Sequence, residues 1–450
     1  MPELITIVYE QTAATKQLLQ QIELRQSPSA HYNILLDFLN NLCGRVDSEV
    51  DAVSYLLRST SPPEAAVELA LQELLVLSSH VLREIHYYCE CFDHAERLTI
   101  PNSMMQLLNK LAGDIVQEKP FIIRGTLQFN YMYNPIGRQL NRLAGSISES
   151  IATIDDNFAT FSFPLANSRN ILANCALLHE FGHFVVDSLG LVQQLVGRLP
   201  PETQTRLMDI IQEHAQAGIQ ADFDIMERVR STNRILENWI HESLADMIGL
   251  RLLGPAHLFT FIYWIQLLHS HQADDPEHPC DSYRLKLMLD GAGNLGWQDL
   301  FGQETPSVWE RARRICQLQR QEGDPRYDAA AECLTILGQT IFDVSRNACG
   351  GATYQPETFA SCKENIIALL EHGIPPAEIL DSESSIFRQF DAISILNAGW
   401  LFYERGFPTW EERFAHLDPI KRGEFLNRLL TKAIEVSFVK EASLIMGYED

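Results

Sequence analysis

The chain has 450 residues, 46% hydrophobic and 21% charged, with 35 Lys and Arg against 59 Asp and Glu. That composition is ordinary for a globular protein with room for two or three cores. The net charge of −24 argues against nucleic acid or an anionic membrane as partner, since both demand clustered Lys and Arg, and reads as a well-solvated acidic surface.

The first residues lack a basic stretch followed by an apolar core, so no signal peptide is expected. Nine cysteines, scattered from Cys43 to Cys362, fit reduced thiols and a cytoplasmic protein better than a disulfide framework. Residues 1–115 carry apolar positions at three- and four-residue spacing and read as a helical N-terminal region, with Ser61, Pro62 and Pro63 as a helix start. Within it His86, Cys89, Cys91 and His94 have the look of a zinc site. On one continuous helix, however, Cys89 and Cys91 face apart, and ordinary core thiols are the expectation.

The pattern then changes to β-formers at 121–125 and 128–133, with a break at 134–137, and a third strand at 158–163 that ends at Pro164. This last strand could offer an edge to an extended peptide or be an ordinary structural strand. Residues 170–189 read as one buried helix, opened by cap-type Asn167 and Ser168 and closed by Gly190. It contains His179-Glu180-Phe181-Gly182-His183. Positions i and i+4 share a face, so His179 and His183 can point at one ion, and Glu180, about 100° round the helix, sits beside it. Such polar groups in an apolar helix are costly unless something pairs with them. Gly182 costs about 1 kcal/mol against Ala mid-helix, which predicts close packing of another backbone there.

Residues 191–232 are polar and helical, broken at 199–201, and are a candidate lid. A second apolar helix spans 233–253, ended by Gly254 and Pro255. On it Glu242 and Asp246 again share a face. Glu242 can complete a tetrahedral site with His179 and His183, and Asp246 can fix the tautomer of one histidine. His241 competes as a ligand but lacks a comparable i+4 partner. The apolar stretch 247–268 is broken by Arg251, Gly254, Pro255 and His257 and reads as two helices rather than a membrane span. Downstream, His269 and His271 lie in a polar loop. His278, held by Pro279, with Tyr283 and Arg284 at the start of the next helix, are candidate oxyanion donors. From 301 to 450 the periodicity is helical and carries no recognisable chemistry.

The segment from about 155 to 290 resembles the gluzincin metallopeptidases on three features in order: His179-Glu180-Phe181-Gly182-His183, Glu242 with Asp246, and His278-Pro279 with Arg284. The pattern is most similar to the branch containing HtpX and the CAAX prenyl proteases. That branch is typically membrane-embedded, whereas this sequence has no spanning stretch, so its substrates need not be membrane proteins or prenylated tails. The resemblance implies that His179, His183 and Glu242 hold Zn2+, that Glu180 is the general base, that His278 helps stabilise the transition state and that Asp246 supports the ligands.

The expectations are then these. The fold is α+β and predominantly helical, with a small sheet leading into the active-site helix. Its parts are a helical region at 1–115, a zinc metallopeptidase core at 116–300 and a helical region at 301–450. The function is zinc-dependent hydrolysis of a protein or peptide substrate, with a regulatory protein partner as a candidate occupant of either helical region. The alternative is a non-catalytic, zinc-containing helical regulatory or scaffold protein, against which an intact Glu180 speaks.

Overall fold

In a computed structural model the described residues are 2–23, 30–58, 65–96, 102–117, 119–148, 151, 153–216, 222–268, 274–317, 324–380, 387–407 and 409–445. They form nineteen α-helices and five short strands, a predominantly helical α+β protein. The expected helix start at Ser61 and the pair His269/His271 lie outside the described residues, as do the side chains of Cys91 and His94.

The chain divides into two compact units, 1–100 with 119–165 and 101–118 with 166–450. These differ from the three regions expected from sequence: the strands fold with the N-terminal helices, and 301–450 belongs with the HExxH helix. The first unit packs α1 (Pro2–Glu23), α2 (Ala30–Arg58) and α3 (Ala65–Glu96) around Leu35, Leu39, Leu42, Val46, Leu75 and Leu82, all buried. The chain then leaves for α4 (Asn102–Val116), part of the second unit, and returns as β1 (Phe121–Thr126), β2 (Met132–Pro135), α5 (Gly137–Ile147) and β3 (Ala159–Pro164). Tyr32 of α2 donates to the Ile123 carbonyl at 2.6 Å, tying the helices to the sheet.

The sheet order is β1-β3-β2, with β1 parallel and β2 antiparallel to β3. All six residues of β3 are buried. The strand expected to offer an edge is therefore the central one; its backbone is paired on both sides and has no ladder left for a peptide.

The second unit continues with a 3-10 turn, Ala173–Ala176, running into α6 (Leu177–Leu189), then α7 (Leu191–Arg198), α8 (Pro201–Gln216), α9 (Asp222–Leu253), α10 (Pro255–Leu268), α11 (Asp281–Asn294), α12 (Trp297–Gly302), α13 (Pro306–Cys316) and α14 (Pro325–Cys349). It ends with α15 (Pro356–Ala360), α16 (Lys363–Glu371), the hairpin strands β4 (Glu378–Leu380) and β5 (Phe387–Gln389), α17 (Ala392–Glu404), α18 (Trp410–Arg413) and α19 (Pro419–Ile445). The helix expected from 170 thus starts at 177. Asn170, rather than Asn167 or Ser168, accepts from the Ala173 amide at 3.0 Å and caps the turn before it. The hairpin within the region expected to be helical has strands of three residues, too short to show a period.

The second unit is built around α9, which lies against α6, α8, α10, α11 and α14. From Glu242 to Leu253 every residue is buried, so the helix is covered on all sides. Its end is set by Gly254 at φ +65°. There Asn397 of α17, itself buried, donates to the Leu253 carbonyl at 2.8 Å and accepts from the Ala256 amide at 2.9 Å, supplying the partners that helix ends lack. Among the described residues of the expected lid, Leu207, Ile210 and Ile211 of α8 are buried, and α8 packs against α9 and α14. No single described helix is long and apolar enough to cross a membrane. Eight cysteines are free among the described residues.

Candidate metal centre

The site lies where α6 crosses α9. A Cβ built on Gly182 would stand 2.5 Å from the Ala245 carbonyl oxygen and 2.7 Å from its Cα. Only glycine admits that approach, which accounts for a residue that costs helix stability. Gly182 is third after His179 and just before His183; Ala245 is third after Glu242 and just before Asp246. The crossing therefore lays one i, i+4 pair against the other.

Three donors converge. His179 Nε2 lies 3.0 Å from His183 Nε2 and 3.3 Å from Glu242 Oε2, and His183 Nε2 lies 3.2 Å from Glu242 Oε1. Behind them, His179 Nδ1 is 2.9 Å from Asp246 Oδ1, so the ring donates there and presents Nε2 to the centre. Arg284 of α11 clamps Asp246 with both faces of its fork, Nε to Oδ2 at 2.7 Å and Nη2 to Oδ1 at 2.8 Å. The same Nη2 is 3.4 Å from Glu242 Oε2, and the guanidinium lies 4.9 Å from the centroid of the Phe261 ring.

The charges follow from this packing. Burial by itself depresses the His179 imidazole, but the Asp246 carboxylate overrides it and pushes the group up to about 10. His183 goes the other way: burial lowers it, and the attraction of Glu242 only partly compensates. Burial opposes ionisation of Glu242, yet His183 and Arg284 hold its carboxyl well below the usual range. Asp246 is likewise lowered against its burial by Arg284 and His179, and Arg284 is raised by Asp246.

These donors fit a metal ion. With Nδ1 of His179 facing Asp246, two imidazole nitrogens and a carboxylate face one another within 3.3 Å, a set able to hold a cation, with Arg284 Nη2 3.3 Å from His179 Nε2 beside it. Glu242 Oε2 is buried without a hydrogen-bond partner. Metal–donor bonds of about 2.0–2.1 Å in a tetrahedron place donors about 3.3 Å apart, which matches the observed triangle. The raised His179 shows the same field attracting a proton.

The other expected residues distribute unevenly. Glu180 is buried on α6 and contributes to the negative field felt by His183. His278 is half-exposed, with Nε2 3.6 Å from Glu242 Oε1 and Nδ1 3.3 Å from both oxygens of Asp275. Its loop is docked on α9, where Trp239 donates to the Asp275 carbonyl at 3.0 Å and Asn238 to that of Pro276 at 2.9 Å. The Tyr283 hydroxyl meets Thr335 of α14, and burial there pushes it up to about 12. Arg284, expected as an oxyanion donor, has Nε and Nη2 occupied by Asp246. Of the first unit's suggestive residues, Cys89 is buried in the core and His86 is half-buried.

Sequence reasoning passed over Asp187 and Asp275 and gave His241 a different part. His241, weighed as a ligand, instead meets the back of His183, Nδ1 to Nδ1 at 2.8 Å, and its Nε2 lies 2.9 Å from Asp187 Oδ1. The signal for Asp187 is its place one turn after His183. Asp275, three residues before His278, had the same kind of signal. Compared with family models, curated proteins and solved structures, the chain matches none.

Proposed function

We propose that this chain is a zinc-dependent metallopeptidase of gluzincin type, acting on protein or peptide substrates in the cytoplasm. The observation that carries this reading is the triangle of His179, His183 and Glu242 with Glu180 on the adjoining helix position. Zinc, when bound, supplies a Lewis acid that polarises a carbonyl and acidifies water. Glu180 takes the proton of the attacking water and passes it to the leaving amine. Asp246 fixes the His179 tautomer, and Arg284 anchors Asp246. His278, its Nδ1 side turned to Asp275, brings Nε2 to 3.6 Å from Glu242 Oε1 and would donate from there to a substrate oxyanion. Among the described residues the close donor group around Glu242 has three members, which suits catalysis rather than a closed structural site.

Metal analysis of the full chain tests the site: about one zinc per chain is expected, and none in His183→Ala. Glu180→Gln is then expected to keep the metal and to lose 10²–10⁴-fold in hydrolysis of a casein or peptide mixture. Zinc retained in both wild type and Glu180→Gln, with neither cutting, would move the protein to the scaffold reading.

A further inference from the structure

Behind His183, one corner of the donor triangle, runs a chain of two side chains to which the reaction gives no part: His241 and Asp187. The rings of His183 and His241 are inclined by only 13°, with Nδ1 facing Nδ1 at 2.8 Å. Beyond them, His241 Nε2 faces Asp187 Oδ1 at 2.9 Å. Asp187 is one turn along α6 from His183, and His241 is the residue before Glu242 on α9, so the chain closes a loop between the two ligand-bearing helices.

Hydrogen bonds between two imidazoles have a direction, because one nitrogen must donate and the other accept. A carboxylate only accepts, which makes Asp187 the terminus. His241 must then carry its proton on Nε2 and leave Nδ1 as a lone pair. That lone pair can accept only a proton held on His183 Nδ1, and a neutral His183 protonated there has its own lone pair on Nε2, pointing at His179 and Glu242. The opposite direction would put a proton on His183 Nε2, in the middle of the triangle.

We propose that His241 and Asp187 are positioning residues for the metal centre, Asp187 fixing the tautomer of His241 and His241 fixing that of His183, so that His183 Nε2 is held ready for a cation. The inference rests on the metal reading above and deepens it: each of the two histidine ligands has a carboxylate behind it, Asp246 directly for His179 and Asp187 through one intervening imidazole for His183. Partners of this kind orient a ligand and raise its donor strength, and removing them costs 10–100-fold in metal affinity.

The test is Co(II) affinity of the full chain, measured by competition with a chelator, together with the visible spectrum of the bound ion. His241→Leu and Asp187→Ala are expected to bind Co(II) 10–100-fold more weakly and to shift its absorption bands, with the unfolding of the metal-free proteins unchanged. His241→Gln is expected to restore most of the affinity, because its amide oxygen can accept from His183 Nδ1, an effect a purely packing role would not produce. Should His241→Leu fail to fold, Asp187→Ala, altered at a side chain 37% exposed, decides alone. Wild-type affinity in Asp187→Ala, or equal losses in His241→Leu and His241→Gln, would overturn the relay and leave the metal site standing. A wild-type chain that binds no Co(II) or zinc would instead overturn the metal reading itself.

Discussion

Two imidazoles of the second unit, both largely withdrawn from water, are pushed in opposite directions. His179, at the α6–α9 crossing, is raised to about 10, whereas His257 of α10 is lowered to about 3. Burial depresses both. The difference is what faces them: His179 has Asp246 at 2.9 Å, while both ring nitrogens of His257 are buried without a hydrogen-bond partner. The His257 ring is packed against Gly249, where an added Cβ would lie 2.5 Å from its Cε1, and the field of Asp246 does not offset its burial. Burial therefore does not mark the functional region. Charge arranged to offset burial marks it, as around the donor triangle.

The largest break in that contrast comes from removing the charge itself. Asp246→Ala leaves Arg284 buried without its bidentate partner, and breaking such a pair costs about 3–5 kcal/mol. All six tryptophans lie between 239 and 410, inside the second unit, so urea unfolding followed by their fluorescence reads the loss. Zinc affinity is expected to fall in the same variant, because the His179 tautomer is no longer fixed. An Asp246→Ala chain as stable as wild type would mean that the clamp contributes nothing.

A smaller loss, about 1–3 kcal/mol, is expected for Gly182→Ala, where overpacking against Ala245 outweighs the gain in helix propensity. The same urea curve measures it, and metal content falls if the crossing sets the distance between the ligand pairs. An alanine accepted without loss would show that the helices can part and still hold the site.

Much of this region was legible in the sequence, and for one reason: i, i+4 spacing fixes a shared face before any tertiary structure is known. His179 with His183, Glu242 with Asp246, and the cost of Gly182 in mid-helix all follow from it. The start of α9 at 222 rather than 233 did not, because Asp222, Asp224, Glu227, Arg228 and Arg230 break up the apolar positions of its first turns. Nor did the central place of β3, since Thr160 and Ser162 are buried yet give the strand the alternation of a half-exposed one. Asp187, and the place of His241 behind His183 rather than beside the donors, escaped because their meeting depends on the crossing of two helices far apart in sequence, which no local spacing records.

The two imidazoles also predict how metal binding depends on pH. A cation needs the His179 lone pair, which in the metal-free protein is protonated until pH reaches about 10. His183 is lowered and Glu242 is ionised, so neither has a proton to give up near neutrality. Binding between pH 7 and 9 is therefore expected to release the His179 proton, in addition to any proton lost by water on the metal, and affinity to rise with pH until the His179 value is passed. Calorimetry in buffers of different ionisation enthalpy counts that proton. Release of none would remove Asp246 as the source of the field.

The smallest expected effect is the sharpest control. His257 is a rival ligand on geometry, since its ring, His179 and Asp246 also offer atoms within 4.8 Å of one another. The space between them is already served, however: Asp246 accepts from His179 through Oδ1 and from Arg284 through both oxygens, and a guanidinium there repels a second cation. His257→Leu exchanges two unpaired buried nitrogens for apolar atoms, which removes a desolvation cost and adds some misfit against Gly249. The two effects oppose, so the net change in stability is expected within about 1 kcal/mol, with metal content and proton release as in wild type. A His257→Leu chain that loses its metal would move the third ligand from α9 to α10, and with it the centre of the site.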